Sequence, residues 1–368
     1  MFALRALAAG RGTSMPCSFR LDQWTQSQWD AMVDSFDWAS LYQRWQFGEI
    51  RSRGSGRSVS RAALLDDSGR PLVMAQFRIK RLSPTRVGVA EADWGPLLHY
   101  RDEIERIEQP LRMFLEAARR HYCTEQGLEV RLQPRSTIHP EKDARLVAIL
   151  ESCGYRRSPH ARIHRTYVLD TSQDIEQIRK NFHQKWRNQL NAALKADLRV
   201  DCGCDDAYFN RFGRLFTELV HHKRFSGGLP TAVVREMMPA LAAEGRLFIH
   251  VAADQHRDLA ASICVACGDT LLYLFGASSM EARRSGRPGY LLQWKHIHLA
   301  RSLGMRWYDT GGLAMESEEL NRFKQRMGGH YVVFPGQMTC TLHPARSWLY
   351  RVAESGYRGL MSLRSSAT

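Results

Sequence analysis

The stretch that decides the fold is Trp307-Tyr308-Asp309-Thr310-Gly311-Gly312, which is followed by LNRFKQRMGG over residues 320–329. This order predicts a short buried strand, a glycine turn, a helix that carries Phe323 and Lys324, and a second glycine break. An acid at a strand end and a cation on the next helix place opposite charges at one mouth, an arrangement suited to reactions in which charge develops on a carbonyl or phosphate. The alternative is an ordinary strand–turn–helix corner with a solvated Lys324.

A basic loop lies just before this strand. It runs over residues 283–289 as RRSGRPG, and from Tyr290 the chain continues in a helical pattern that stops near Gly304. Free backbone N–H groups at a helix start attract phosphates, and nearby arginines strengthen that attraction. The pattern therefore predicts substrate-binding residues in this loop and at the first helical turn, namely Arg283, Arg284, Arg287, Gly289 and Tyr290. The alternative is an ordinary surface loop, since basic loops with glycine and proline are common before helices.

Together these stretches resemble the second acyltransferase domain of the FemABX family, the aminoacyl-tRNA-dependent transferases that build peptidoglycan cross-bridges. The resemblance rests on GYLLQWKHIHLARSLGMRWYDTGG followed by LNRFKQRMGG. It extends to YVLDTSQDIEQIRKNFHQKWRNQLNAALKADLRV, to FTELVHHKRFSGGLP and, more loosely, to ADWGPLL in the first half. It covers most of the chain from about Ser18 to Pro344, and it implies two tandem domains like those of GCN5-related N-acyltransferases (GNAT).

The residues themselves indicate an internal duplication. Two hairpin patterns occur, one around the turn at residues 66–71 and one around residues 254–258, and each is followed by a strand, a helix and another strand. The predicted class is therefore α+β (mixed α/β), with two GNAT-like domains. The region between Asn191 and Pro230 lacks the long charged heptad stretch of some family members, so we expect the insert-free form without a coiled-coil arm.

The length of 368 residues and the 44% content of hydrophobic residues suit two domain cores. We expect a flexible N-terminal tail over 1–15, a first domain over 16–165, and a second domain over 166–343. Residues 344–368 should form a C-terminal helix, and the resemblance implies that it packs back on the first domain. Residues 174–196 are predicted to form one long basic helix.

Charge narrows the choice of partners. Lys and Arg number 52 and Asp and Glu number 38, which gives a net charge of +14. This excess favours anionic partners: tRNA, a nucleotide- or lipid-linked pyrophosphate, or peripheral contact with an anionic membrane surface. A basic background composition is the alternative. Because no apolar run reaches the ~20 residues of a membrane span and the first fourteen residues make a poor secretory signal, we expect a cytoplasmic monomer that begins at Met1 or Met15.

The cysteine and histidine patterns do not indicate a metal or a cofactor. Cys264 and Cys267 lie in a strand pattern that points their side chains to opposite faces, and the adjacent His221 and His222 diverge on a helix. We therefore expect free thiols, no metal, and no cofactor apart from the acyl donor that acts as co-substrate. That donor is an aminoacyl-tRNA or, in the alternative, an acyl-CoA.

The catalytic prediction follows from a missing motif. The sequence contains no Gly-x-Ser-x-Gly and no cysteine with a linked histidine, which fits direct attack by a substrate amine on an activated ester or thioester. Such a reaction needs alignment, a proton acceptor and stabilisation of the tetrahedral oxyanion. The resemblance places Phe323 and Lys324 beside the reacting groups, so Lys324 is the candidate for stabilising negative charge and Phe323 for shaping the pocket. Asp309 either orients the site or accepts a proton, or is simply a structural strand-end acid.

The resemblance also implies that Arg187 helps to hold the phosphates of the acceptor. One departure concerns the first domain, where relatives often carry Arg, an apolar or acidic residue and then Asp-Pro. This chain reads Arg131-Leu132-Gln133-Pro134 there, and the missing acid leaves the acceptor peptide open.

Two classes of function remain open at this stage. The first is an acyltransferase that moves an aminoacyl group from tRNA to an amine of a peptidoglycan precursor in cell-wall biogenesis. A variant of it uses an acyl-CoA or acyl-carrier donor in polysaccharide or natural-product synthesis. The second class is a non-catalytic module that binds RNA or a cell-wall precursor. The presence of the donor loop and of the Phe–Lys pair favours the enzyme.

Overall fold

The computed structural model describes residues 17–82, 87–159, 161–222, 231–282, 286–313 and 317–365, and the side chains of these residues apart from residue 222 and residues 355–365. The chain divides into two units. The first unit contains the residues up to Ile163 together with those from Phe334 onward, and the second unit is His164–Val333.

The strands of the sheets are numbered in chain order. They are β1 (Cys17–Leu21), β2 (Arg57–Asp66), β3 (Pro71–Arg81), β4 (Gly88–Ala92), β5 (Leu97–Leu98), β6 (Glu129–Leu132), β7 (Arg156–Arg157), β8 (Arg165–Asp170), β9 (Arg199–Gly203), β10 (Leu247–Ala253), β11 (Asp258–Cys267), β12 (Thr270–Ser278), β13 (Trp307–Asp309), β14 (His330–Val333) and β15 (Met338–Cys340).

The α-helices are numbered in the same way. They are α1 (Gln26–Asp34), α2 (Trp45–Ser52), α3 (Ile104–Ala118), α4 (Pro140–Ser152), α5 (Ile175–Asn181), α6 (Gln184–Lys195), α7 (Asp206–His222), α8 (Thr231–Ala243), α9 (Pro288–Ser302), α10 (Glu318–Arg326) and α11 (Pro344–Ser365).

The two sheets have the same spatial order and directions of strands, although the sixth strand of the first sheet, β15, follows the second unit in the chain and that of the second sheet, β8, is the first strand of its unit. The order in the first unit is β1-β2-β3-β4-β6-β15-β7, with β5 on β3, and the order in the second unit is β9-β10-β11-β12-β13-β8-β14. Neighbouring strands are antiparallel except for one parallel pair in each sheet, β4 with β6 and β12 with β13. The helices also correspond, since α3 and α9 cross between the parallel strands and two helices precede each hairpin. The predicted α+β class with tandem GNAT-like domains is confirmed.

Two details of the predicted organisation are wrong. Residues 174–196 form α5 and α6 rather than one helix, because Phe182 and His183 have extended backbone angles and the His183 side chain accepts a hydrogen bond from the Lys185 N–H as the N-cap of α6. Residues 334–343, assigned above to the second domain, lie in the first unit, where β15 pairs with both β6 and β7.

The helix α11 packs on the first unit. The side chain of Tyr350 is buried against Val87 and Val89, and the guanidinium of Arg131 in β6 lies 3.1 Å from the carboxylate of Glu354. In the second unit α6 and α9 share a core with the sheet, in which Trp186, Leu190 and Ile297 are buried. Within the described ranges, no helix has the length and apolar character required to cross a bilayer.

Candidate active site

The candidate site lies where the parallel strands of the second unit part. β13 pairs with β12 only from Thr270 to Leu272, whereas β12 continues to Ser278. A register shift between Ile263 and Cys264 also bends the pairing of β11 with β12. After Asp309 the backbone therefore parts from β12 while it stays hydrogen-bonded to β8, through Thr310 N–H to Tyr167 and Leu313 N–H to Arg165. The glycine turn lies beside β12.

Glycine is required in this turn. Gly311 has φ +76°, and a Cβ atom there would lie 2.5 Å from the carbonyl oxygen of Tyr273 in β12. The left-handed backbone angle and the close approach to β12 each exclude an ordinary side chain. The sequence motif WYDTGG thus reflects a turn that packs directly on the neighbouring strand.

Asp309 holds the turn from within. Its side chain is completely buried, and its Oδ1 accepts hydrogen bonds from the Thr166 hydroxyl (2.6 Å) and from the Gly311 N–H (2.9 Å). These contacts connect β8, the end of β13 and the glycine turn. The geometry favours an orienting role for this carboxylate.

Lys324 reaches the same turn from α10. Its Nζ donates hydrogen bonds to the carbonyl oxygens of Gly311 (2.9 Å) and Gly312 (2.8 Å), and the residue is only 4% exposed. The alternative of a solvated lysine is wrong, because the ammonium is buried on the two carbonyls. Burial lowers the pKa of Lys324 to about 8, although the nearby Asp309 opposes the shift.

Phe323 lies in an aromatic cluster that joins three helices. Its ring meets Tyr290 of α9 edge-on at 4.9 Å and lies 6.0 Å from Trp186 of α6, while Trp186 and Tyr290 are 5.1 Å apart. Such contacts add to the stability of packing beyond the burial of area. The two neighbouring residues therefore have different contacts: Phe323 fixes α10 in the aromatic cluster, and Lys324 faces the glycine turn.

Arg187 has a structural role in addition to any binding role. Its Nη1 donates to the carbonyl oxygens of Lys180 (2.7 Å) and Phe182 (2.6 Å), which are the unpaired acceptors at the end of α5. The side chain is half-buried. Arg187 therefore fixes the break between α5 and α6, next to Trp186 of the aromatic cluster.

The start of α9 has the shape that the basic loop predicts. Arg287 is exposed, has φ 57° and is the N-cap residue, and Pro288 is the first residue of the helix. Gly289 has open space where a side chain would extend, and the half-buried Tyr290 leads into the aromatic cluster. Arg283 and Arg284 lie outside the described residues. The structure thus connects Arg287 to Phe323 through Tyr290.

A buried polar network behind the site was missed by the sequence reasoning. The Tyr308 hydroxyl donates to Gln293 Oε1 (2.6 Å) and lies 3.0 Å from His296 Nδ1, and His296 Nε2 lies 2.8 Å from the Ser262 hydroxyl. Burial holds the pKa of His296 well below its usual range, so the ring is neutral. The network fixes β13 against α9, and its signal in the sequence is the pair Gln293 and His296 at helical spacing in an otherwise apolar stretch.

The corresponding strand ends of the first unit carry different groups. Asp93 follows β4 and forms an ion pair with Arg78 of β3, and the Gln133 N–H donates to the Ala92 carbonyl (3.1 Å). Burial raises the pKa of Asp93, while Arg78 opposes the shift. Gln133 stands where relatives often carry an aspartate. In this chain a carboxylate lies at the end of the neighbouring strand instead, that of Asp93, which the sequence reasoning did not single out.

The described residues contain no group of three or more His, Cys, Asp or Glu side chains arranged to hold a metal ion.

Comparison with known proteins agrees with this geometry. Residues 178–325 match the profile of the acetyltransferase (GNAT) domain family. The structure of FemX is similar, with a TM-score of 0.75, 17% identity, and coverage of 90% of this chain and 99% of FemX. No curated protein sequence matches the chain.

Two further solved structures share the fold more distantly. The C-terminal domain (DUF2156) of a putative lysylphosphatidylglycerol synthetase from Agrobacterium fabrum has a TM-score of 0.52 and 13% identity, and the match covers 89% of this chain and 97% of that one. L-PGS from Bacillus licheniformis has a TM-score of 0.51 and 10% identity, with coverage of 89% and 95%.

These findings define the class of fold first: the chain has tandem GNAT-like domains, and residues 178–325 match an acetyltransferase (GNAT) domain. Within that class, the resemblance to the FemABX family is confirmed in the fold that this chain shares with FemX.

Proposed function

We propose that this chain is an N-acyltransferase of FemABX type, which transfers an aminoacyl group from an aminoacyl-tRNA to an amine of a peptidoglycan precursor. The observation that carries the proposal is the buried Lys324, fixed by two glycine carbonyls at the point where β12 and β13 part. A buried ammonium beside a strand-end carboxylate suits stabilisation of an oxyanion, because electrostatic interactions are stronger where water is excluded.

The reaction requires one bond to form and one to break. The acceptor nitrogen attacks the carbonyl carbon of the aminoacyl ester, and the carbonyl oxygen becomes a tetrahedral oxyanion. An ammonium has three N–H donors, so the two bonds from Lys324 to Gly311 and Gly312 leave one for this oxyanion. When the intermediate collapses, the C–O bond to the tRNA ribose breaks, the attacking nitrogen loses one proton, the ribose oxygen gains one, and the amide remains.

The other groups prepare this step. Asp309 orients the turn whose carbonyls hold Lys324, and Phe323 fixes α10 through its contacts with Tyr290 and Trp186. The negative charge of Asp309 also favours the protonated form of Lys324, which is the form that stabilises an oxyanion. A carboxylate in this place thus assists catalysis even when it transfers no proton.

Binding of the phosphates is assigned to the basic groups. Arg287 at the start of α9, with Gly289 and Tyr290, and Arg187 beside the aromatic cluster are the proposed contacts in the described residues, and Arg283 and Arg284 extend the same basic loop in the sequence. Charged tRNA and a nucleotide-linked precursor would be met in the cytoplasm, and a lipid-linked precursor at an anionic membrane surface.

Two observations together support a second kind of acyl donor. The match of residues 178–325 to a GNAT acetyltransferase domain, together with the divergence of β12 from β13, suits an acyl-CoA or acyl-carrier thioester as well. The chemistry at Lys324 is the same, with a thiolate as the leaving group. The donor, and not the catalytic group, distinguishes the two reactions.

Mass spectrometry of the products tests the proposal. The purified full chain is incubated with a charged tRNA pool or with acyl-CoA, and in each case with nucleotide- and lipid-linked precursors. An aminoacyl mass added to the precursor in the tRNA reaction alone supports the proposal. An acyl mass in the CoA reaction alone favours the second donor, and binding without any product favours a non-catalytic module.

A further inference from the structure

The C-terminal helix α11 has one face committed to the first unit. Tyr350 is 2% exposed and packs against Val87 and Val89, and the side chain of Ser347 bonds to the Thr341 hydroxyl (2.8 Å). Ion pairs extend this inner face, with Arg131 bonded to Glu354 (3.1 Å) and Arg351 to Glu129 (3.3 Å). One side of α11 is therefore bound to the first unit, and the opposite side faces away from these contacts.

The opposite side is apolar and exposed. Trp348 is 65% exposed, Val352 50%, Leu349 47%, and Leu342, just before the helix, 39%. We call these four residues the outer patch. Residues 348, 349 and 352 share one side of a helix, so the exposed apolar groups form a stripe along α11 rather than isolated surface residues. Exposed apolar groups that adjoin one another, rather than lying singly, are characteristic of an interaction surface.

The charge around the outer patch has one sign. Between Leu342 and Ala353 the sequence contains Arg346 and Arg351 and no Asp or Glu. Arg346 is exposed, and the first acid that follows, Glu354, is bonded to Arg131. A second copy of this face would set arginine against arginine in a two-fold contact. An anionic partner, by contrast, is attracted to the exposed Arg346, while Arg351 is already paired with Glu129.

We propose that the outer patch is a docking surface for an anionic phospholipid bilayer. A helix with tryptophan and aliphatic residues on one side and arginines at its borders lies in the interface plane, with the apolar groups among the acyl chains and the cations at the headgroups. The proposal deepens the membrane contact named above by assigning it to α11. It is tested by binding alone, so that its failure and the failure of acyl transfer are separate results.

The test uses the full chain and lipid vesicles without any precursor. Binding is measured by co-sedimentation with vesicles of phosphatidylcholine and with vesicles that contain 30 mol% phosphatidylglycerol. The variant is Trp348→Ser, Leu349→Ser and Val352→Ser combined. The matched control is Met280→Ser with Tyr331→Ser, which removes two apolar side chains of similar exposure (66% and 51%) from the second unit.

We expect the wild-type chain to bind the anionic vesicles at least tenfold more tightly than the neutral ones, with binding weakened by salt. The triple variant should lose at least tenfold on anionic vesicles, Arg346→Glu several-fold, and the control variant less than twofold. A second readout is quenching of tryptophan fluorescence by brominated anionic lipid, which should be present in the wild type and reduced in Trp348→Phe.

The proposal is overturned if the wild type does not bind the anionic vesicles, or if the triple variant, still folded by its thermal melt, binds them like the wild type. It is also overturned if sedimentation velocity shows a dimer that the triple variant abolishes while vesicle binding is absent. That last result would assign the outer patch to a second copy of the chain.

Discussion

Each unit has a cation near the ends of its parallel strand pair, and the two units differ in the groups that bind this cation. In the second unit, Lys324 is bonded to two backbone carbonyls beside Asp309. In the first unit, Arg78 lies between two carboxylates, that of Asp93 and that of Glu91 at 3.5 Å, and Arg135 is buried under Trp94, with its guanidinium 5.3 Å from the ring centroid. The same order of strands thus carries an ammonium held by carbonyls in the second unit, where it also lies 5.7 Å from the centroid of the Tyr273 ring, and guanidinium groups held by carboxylates and aromatic rings in the first.

This difference indicates which of the two cations can take part in catalysis. A cation whose partners are carboxylates is neutralised in the resting protein, and its main effect is on stability. A cation held by carbonyl dipoles keeps more of its charge for a developing anion. We therefore expect changes at Lys324 to reduce rate and changes at Arg78 to reduce stability.

The largest expected effect is on the rate of the Lys324→Ala variant. Loss of one oxyanion donor lowers the chemical rate by a factor of about 10²–10³. Lys324→Arg should restore little, since a planar guanidinium does not fit between two carbonyls that hold a compact ammonium. Single-turnover kinetics with the productive donor measure the rate.

A thermal melt is the control for this variant, because Lys324 is buried and its removal takes one hydrogen-bond donor from each of the Gly311 and Gly312 carbonyls, of which Gly311 still accepts from the Thr166 hydroxyl. Lys324→Met keeps most of the volume and should be as slow as Lys324→Ala. Wild-type turnover by folded Lys324→Met would end the catalytic assignment.

The next effect is on the stability of the Arg78→Ala variant. Removing one partner of a buried ion pair leaves Asp93 and Glu91 without that cation and should lower the free energy of unfolding by about 3 kcal/mol. The rate of the folded variant should change less than threefold. Urea denaturation of Arg78→Ala and of Arg78→Ala with Asp93→Ala measures the loss, and the double variant should be the more stable of the two. A hundredfold loss of rate in folded Arg78→Ala would show that the first unit takes part in the chemistry.

The pH dependence of the rate should follow Lys324. If the ammonium stabilises the oxyanion, the single-turnover rate falls about tenfold per pH unit above the pKa of about 8. A rate that rises through pH 8 would instead indicate that the neutral amine acts as a base.

The stability of the folded chain should also depend on pH, in a direction set by the lowered pKa of Lys324. The folded pKa of Lys324 lies below the unfolded value of about 10.4, so between pH 8 and 10 the unfolded chain binds more protons and the wild type gains stability relative to Lys324→Met as pH rises. Equal pH profiles of unfolding for the two proteins would show that Lys324 titrates normally.

The smallest effect is expected at the basic residues outside the turn. Arg287→Gln should weaken binding of the anionic substrate a few-fold and reduce the salt dependence of the dissociation constant, because one phosphate contact is lost. Arg187→Gln should also destabilise the second unit, since it removes the donor to the Lys180 and Phe182 carbonyls. Binding titrations at low and moderate salt measure the dissociation constants of the two variants, and a thermal melt measures the destabilisation by Arg187→Gln. A salt response equal to that of the wild type would identify Arg287 as an ordinary surface charge.

The local pattern of the sequence was sufficient for the elements of the fold. Alternation and turn residues predicted the hairpins on either side of residues 66–71 and 254–258, and the order WYDTGG predicted β13, its glycine turn and the helix of Phe323 and Lys324. These predictions succeed because strand and helix periodicity and the freedom of glycine are properties of short segments. The same reasoning failed at residues 182–183, where a break between two helices follows an unbroken helical pattern.

By itself the sequence determined the duplication, the mixed α/β class and the presence of a Phe–Lys pair after a glycine turn. Only the tertiary structure decided that β15 returns to the first sheet, that Arg187 caps α5, and that Tyr308, His296 and Gln293 share a buried network. It also decided that Lys324 is buried, because its ammonium binds the carbonyls of Gly311 and Gly312 in the turn that packs on Tyr273. Contacts between residues far apart in the chain leave no periodic trace, and the charge state of a side chain depends on the groups that surround it in space.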